Sequence, residues 1–144
     1  MLSTSASKAP DARRLGAQRF ALTSDESTMA SLANHFDLIL DTVSAPHDVN
    51  RFLQILARDG TLVMLGASPK PHSVEGFNLI MRRRALAGSV IGGIAETQEM
   101  LDFCAEKNTP ADVEVIPMAK VNEAYDRVLK GDVRYRFVID MKTL

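Results

Sequence analysis

Residues 36–65 read FDLILDTVSAPHDVNRFLQILARDGTLVML, two short apolar runs on either side of one stretch with helical spacing. Phe36, Leu38, Ile39 and Leu40 make a nearly continuous apolar run, which predicts a strand buried on both faces of a sheet. Ser44 and Pro46 then open a helix, since proline pre-sets φ for a first turn whose N–H groups have no helical partner anyway. Val49, Phe52, Leu53 and Leu56 follow at i, i+3, i+4 and i+7 and give that helix one apolar face, closed by Gly60. Thr61 to Leu65 is a second buried strand, stopped by Gly66. Two strands joined by a helical crossover run parallel, because a parallel neighbour cannot be reached through a tight turn.

The same alternation extends outward in both directions. Upstream, Pro10 to Leu15 predicts a short helix ended by Gly16, and Ser24 can cap a helix carrying Met29, Leu32 and Ala33. Downstream, Pro69 and Pro71 make Ser68 to Ser73 an exposed loop. A short helix from Phe77 to Met81, a strand from Leu86 to Ile91 and a helix from Thr97 to Lys107 follow. Val121, Ala124, Tyr125, Val128 and Leu129 mark the clearest amphipathic helix, stopped by Gly131, and Tyr135 to Ile139 closes as a strand. The fold class implied is α/β, a doubly wound parallel sheet covered on both faces. Ligands of such sheets sit outside the carboxyl ends of the strands. Thr42, Val43 and Ser44, Gly66 and Ala67, and Gly92 and Gly93 are therefore the candidate positions.

Composition narrows the function. The chain has 144 residues, with 17 basic and 18 acidic side chains, so it lacks the one-signed field that gathers nucleic acid or acidic lipid. One cysteine, Cys104, excludes an internal disulfide and a multi-thiolate zinc site, and fits a reducing, cytoplasmic setting. The apolar stretch from Ala85 to Ala95 is broken by Gly88, Ser89, Gly92 and Gly93 and falls short of the ~20 residues that span a bilayer. No membrane partner is expected. The Ser-rich, basic opening has the composition of a transit peptide, but the short helix from Pro10 to Leu15 is the preferred reading and nothing in it requires cleavage.

Catalytic constellations are sparse. His35, His47 and His72 are the only histidines, no two are spaced i, i+4, and neither a triad nor a metal cluster emerges. Cys104 lies beside Met100 and Leu101 at helical spacing, where a small buried hydrophobe is expected. Ser3, Thr4, Ser5 and Ser7 with Lys8 offer hydroxyls and a cation suited to a compact phosphate; as a bare pattern they fit a frayed terminus as well. Gly92 and Gly93 either permit a turn or admit a flat ring close to backbone.

Four ordered blocks, Asp37 to Ser44 (DLILDTVS), Arg58 to Ala67 (RDGTLVMLGA), Leu86 to Glu99 (LAGSVIGGIAETQE) and Asp132 to Asp140 (DVRYRFVID), resemble the medium-chain, zinc-dependent alcohol dehydrogenases, in particular the cinnamyl alcohol dehydrogenase-like branch. That family joins a Rossmann domain to a zinc-bearing catalytic domain and moves hydride between a nicotinamide dinucleotide and an alcohol or aldehyde. The resemblance implies the C-terminal part of such an enzyme: residues 1–110 as a partial NADP-binding Rossmann domain and residues 111–144 as a segment returning to the catalytic domain. The family's Gly-rich pyrophosphate turn and its zinc ligands have no counterpart here. Either the chain is a fragment or the gene is truncated, and zinc belongs to the full-length family.

Carried over residue by residue, the resemblance implies that Ser3, Thr4, Ser5 and Lys8 grip the 2′-phosphate of NADP. Thr42, Val43, Gly66, Ala67, Ser89 and Ile91 line the nicotinamide and its ribose, and Arg136 reaches the pyrophosphate. No residue is assigned a catalytic role, a small alcohol or aldehyde requires the missing domain, and the isolated chain is expected to be inactive. Leu86 to Ile91 matches the edge through which the family forms homodimers. Phe36 to Thr42 would be strand four of the order 3-2-1-4-5-6, beside a missing first strand, leaving half its backbone partners absent. The alternative reading is a catalytically silent dimerisation or nucleotide-binding module.

Overall fold

The computed structural model describes residues 1–144, which divide into two compact units, Met1–Ile91 and Gly92–Leu144. In the first, β3 (Phe36–Asp41), β4 (Leu56–Met64) and β5 (Ala85–Gly88) form a parallel sheet in that order. A second parallel pair is made by β1 (Leu2–Ser3) and β2 (Ala21–Leu22). Helices α1 (Ala9–Arg14), α2 (Glu26–Ser31), α3 (Val49–Ile55) and α4 (Gly76–Ile80) occupy the crossovers. The α/β class and its parallel sheets are those expected.

Met29 from α2 and Val49, Leu53 and Ile55 from α3 pack on Ile39, Leu56 and Leu62 of the sheet, and Leu53, Leu56 and Leu62 are fully buried. The cap of α2 is one residue later than expected. Asp25, not Ser24, accepts from the backbone N–H groups of Ser27 and Thr28 and from both their hydroxyls. Those bonds, the hydroxyls foremost, hold its carboxyl at a pKa of about 2.

Burial of β3 on both faces does not hold. Ile39 points into the core, whereas Leu38 and Leu40 on the opposite face are 56% and 59% exposed. The pattern of a two-faced strand is present, but α2 and α3 cover one face only. The lateral edge of β3 is open as well. Cavities of about 290 and 340 Å³ lie between it and β1, lined by Met1 and Leu2 on one side and by His35 and Phe36, or Ile39 to Asp41, on the other. This slot is where the expected strand order leaves its first strand out.

Several element ends shift. Helix α3 stops at Ile55, so Leu56 begins the next strand; β4 bulges at Arg58-Asp59-Gly60, with Asp59 at φ 62° and the register slipping between Phe36 and Leu38. A Cβ on Gly60 would meet the Phe36 carbonyl oxygen at 2.9 Å, so glycine serves close approach there rather than a helix stop. The edge strand expected over Leu86 to Ile91 ends at Gly88; Val90 and Ile91 are 86% and 91% exposed.

Two polar side chains tie the loops down. Asn50 makes four bonds: its Nδ2 donates to Asp48 Oδ1 and the Ser73 carbonyl, and its Oδ1 accepts from the Glu75 N–H and Asn78 Nδ2. The Pro-rich loop is thereby anchored at its far end to the first turn of α3. Arg84 donates to the carbonyls of Leu56, Asn78 and Gln54 and to Asn34 Oδ1, closing the base of the sheet.

The second unit contains α5 (Ile94–Glu106), β6 (Glu114–Pro117), α6 (Val121–Leu129) and β7 (Phe137–Asp140), with β6 and β7 parallel. Strand β6 had no expectation, and β7 starts two residues later than the anticipated Tyr135. Gly131 ends α6 at φ 68°, as a left-handed stop should. Along α5, Met100, Leu101 and Phe103 are half exposed and Cys104 is only partly covered, its Sγ 3.6 Å from Met100 Sδ. The buried role expected for Cys104 is therefore not met.

Candidate functional site

Three strand ends converge in the first unit. Beyond β1 the chain turns tightly: the Ser5 N–H donates to Ser3 Oγ at 3.2 Å, the Lys8 N–H to the Ser5 carbonyl, and the Ser5 and Ser7 hydroxyls lie 2.8 Å apart. This opening takes the form of a short strand followed by a turn. Ser3, Thr4 and Lys8 face the cavity of about 340 Å³ whose other wall is Leu40, Asp41, Thr42, Val43 and His47. The structure thus brings five of the expected residues, Ser3, Thr4, Lys8, Thr42 and Val43, around one space, although nearly 40 residues separate the two groups.

Gly66 belongs to the same cluster without lining the cavity. The N–H groups of Leu65 and Gly66 both donate to the Asp41 carbonyl, at 2.8 and 3.0 Å, stapling the end of β4 to the end of β3. A Cβ at Gly66 would lie 2.4 Å from the Val43 carbonyl oxygen. Only a residue without a side chain allows the two strand-end loops to meet this closely. Ala67 follows on the exposed surface. The Ser89 N–H donates to the Met64 carbonyl just beyond β5, and Ile91 points into solvent. Arg136 lies in the second unit and is exposed, its carbonyl accepting from the Glu114 N–H.

Two site residues were not singled out from sequence. Asp41, the last residue of β3, is buried, and His47 binds it at 2.7 Å through Nε2. An aspartate directly after an apolar strand run was the available signal, since a carboxylate there needs a donor or a counter-charge. The His72 ring stands 5.0 Å from that of His47, and its buried Nε2 has no partner. No group of three or more His, Cys, Asp or Glu side chains could hold a metal ion. The side chains present therefore do not make a zinc site. No helix is long and apolar enough to cross a membrane.

Residues 1–106 match the family model described as zinc-binding dehydrogenase. Aldehyde reductase YahK of Escherichia coli is 54% identical over 98% of this chain, and NADP-dependent alcohol dehydrogenase C 1 of Mycolicibacterium smegmatis is 53% identical over all of it. The chain spans about 41% of the length of each. Among solved structures, a cinnamyl alcohol dehydrogenase of Sorghum bicolor superposes with a TM-score of 0.90 at 40% identity, covering 96% of this chain and 40% of that one. The CAD of Helicobacter pylori complexed with NADP(H) superposes with a TM-score of 0.80 at 30% identity, covering 98% and 40%. By the family model over residues 1–106 and these likenesses, the chain belongs to the zinc-binding dehydrogenase family and corresponds to a C-terminal part of its NADP-dependent alcohol dehydrogenase relatives.

Proposed function

We propose that this chain is the cofactor-binding portion of an NADP-dependent alcohol dehydrogenase, with residues 1–110 holding NADP(H) and residues 111–144 contributing to the catalytic domain. The observation that carries this reading is the shared cavity. Ser3, Thr4 and Lys8 stand at the end of β1 and Thr42 and Val43 at the end of β3, one group for the 2′-phosphate and one for the nicotinamide end. Asp41 is the only carboxylate lining it, and both its oxygens are engaged by His47 and the Val43 N–H. An arriving phosphate therefore meets Lys8 and hydroxyls with little opposing charge.

The chain should bind 2′,5′-ADP roughly tenfold tighter than 5′-AMP, since a charge-assisted bond contributes about 1.5–3 kcal/mol. Lys8→Ala should bring the two affinities together. Calorimetric titrations giving equal affinities in the unsubstituted chain would refute the assignment of Ser3, Thr4, Ser5 and Lys8.

When bound, the dinucleotide supplies the hydride, and the residues here bind and orient it. In the family zinc would polarise the carbonyl oxygen while the adjacent carbon accepts the hydride, and the ligands zinc would need are not carried by this chain. Aldehyde-dependent NADPH oxidation by the 144-residue chain should therefore stay at the level of a heat-killed control, with or without added zinc. Turnover above that control would show that the chemistry resides in these residues after all. A cytoplasmic setting suits the single unpaired cysteine.

A homodimer through the outer edge of β5 completes the proposal. Because the Ser89 N–H points to β4, strand alternation turns the Leu86 and Gly88 N–H groups to the free edge. An uncovered parallel edge beside exposed Val90 and Ile91 is a pairing template. Gly88→Pro removes an outward donor without touching the core, and should shift the sedimentation profile from dimer toward monomer. A monodisperse monomer before substitution would show that the edge is not used.

A further inference from the structure

The carboxyl end of β3 sets one imidazole ring between two oxygens. Asp41 Oδ1 accepts from the Val43 N–H at 3.0 Å, and Oδ2 lies 2.7 Å from His47 Nε2. The other ring nitrogen, Nδ1, lies 2.8 Å from the Ala45 carbonyl oxygen. A carbonyl and a carboxylate are acceptors only, whereas a neutral imidazole has a single N–H. A neutral ring would set a lone pair against one of the two oxygens, and both contacts are satisfied together when the ring carries two N–H groups.

We propose that His47 is the imidazolium partner of Asp41 at neutral pH and a positioning residue, clamping the segment from Thr42 to His47 across the end of β3 so that Thr42 and Val43 keep their place at the cofactor cavity. The positioning role rests on the reading of that cavity as the NADP site. The charge assignment does not.

The surroundings agree with a retained cation. Burial pulls the ring downward, but the Ala45 carbonyl, the bond to Asp41 and the charges of Asp41 and Asp48 outweigh it and raise the pKa above the usual histidine value. The groups facing His47 are Asp41 from β3, Asp48 at the cap of α3, the Phe52 ring from α3, the His72 ring from the Pro-rich loop, and Lys8 across the cavity. Two anions thus face one fixed cation, Lys8, and one titratable ring. With the folded pKa raised, the clamp is complete below about pH 6.5, the unfolded value, and is released as pH rises through the higher folded value.

The test is a long-range ¹H–¹⁵N titration of the imidazole rings in the full chain between pH 5.5 and 9, with and without NADP⁺. His47 should show two protonated nitrogens at pH 7 and a midpoint above 6.5. Asp41→Asn should increase its acid dissociation constant about tenfold, because a carboxamide still accepts from the Val43 N–H while donating to a neutral Nε2. A neutral His47 tautomer at pH 6 in the unsubstituted chain, or an unchanged midpoint in Asp41→Asn, overturns the charge assignment. Exchange of the Val43 amide should accelerate as His47 deprotonates, and exchange that ignores the titration overturns the clamp. NADP⁺ should shift the His47 midpoint. Failure of NADP⁺ to bind at all counts against the cofactor reading, with the titration still reading His47; binding without a shift overturns the positioning role.

Discussion

Gly66→Ala is expected to displace the Thr42–Val43 segment and to weaken nucleotide binding by tenfold or more, while costing about 1–3 kcal/mol of stability. The added methyl would sit 2.4 Å from the Val43 carbonyl oxygen, 2.5 Å from its carbon and 2.8 Å from the Thr42 carbonyl carbon, all backbone atoms that cannot rotate aside. Retreat of Gly66 would stretch its N–H bond to the Asp41 carbonyl, and retreat of Val43 would open the cavity wall. Gly76→Ala is the control, because a Cβ there meets nothing within 4 Å. Urea melts and 2′,5′-ADP titrations of both variants make the check. An unaltered affinity in Gly66→Ala would show that the strand-end contact has no bearing on the site.

Leu53→Ala should be the most destabilising single truncation in the first unit, at about 2–5 kcal/mol. Leu53 is 0% exposed and sits amid Met29, Leu32, Ile39, Val49, Ile55, Leu56 and Leu62, a core of only eight buried side chains. With one face of β3 bare, little else can collapse into the void. The melting temperature should fall by roughly 10 °C or more, since each kcal/mol shifts a domain of this size by several degrees. Leu38→Ala, on the exposed face, should change it far less. Equal losses from the two truncations would mean that burial has been misplaced between the faces of β3.

The fold was legible wherever a local pattern reported a tertiary fact. The run from Phe36 to Leu40 gave a parallel strand because apolar side chains on both sides of the pleat have no other common cause. The same pattern misled about β3 itself, since it records what a strand is suited to pack against rather than what this chain provides. Element ends failed where close approach replaced punctuation, as at Gly60, whose lack of a side chain serves the Phe36 carbonyl. Of the residues lining the candidate cavity, strand-end logic pointed to Thr42 and Val43 and family likeness to Ser3, Thr4 and Lys8. Asp41 and His47 were not reached, because their meeting depends on a loop that returns over the strand end, and the five intervening residues carry no periodicity to announce it.

The four bonds of Asn50, a buried side chain, bear on how the Pro-rich loop ages. An amide presents two donors and one acceptor oxygen, and here each faces its complement: Nδ2 meets Asp48 Oδ1 and the Ser73 carbonyl, and Oδ1 meets two N–H groups. Hydrolysis of that amide changes one atom's identity and almost nothing in shape. It would nonetheless reverse the polarity of two of the four bonds and set a new carboxylate against Asp48, so the Pro-rich loop would lose its mooring without any break in the chain. Chemical deamidation at this single position would therefore act on the chain as a slow clock, counting time by the release of one loop.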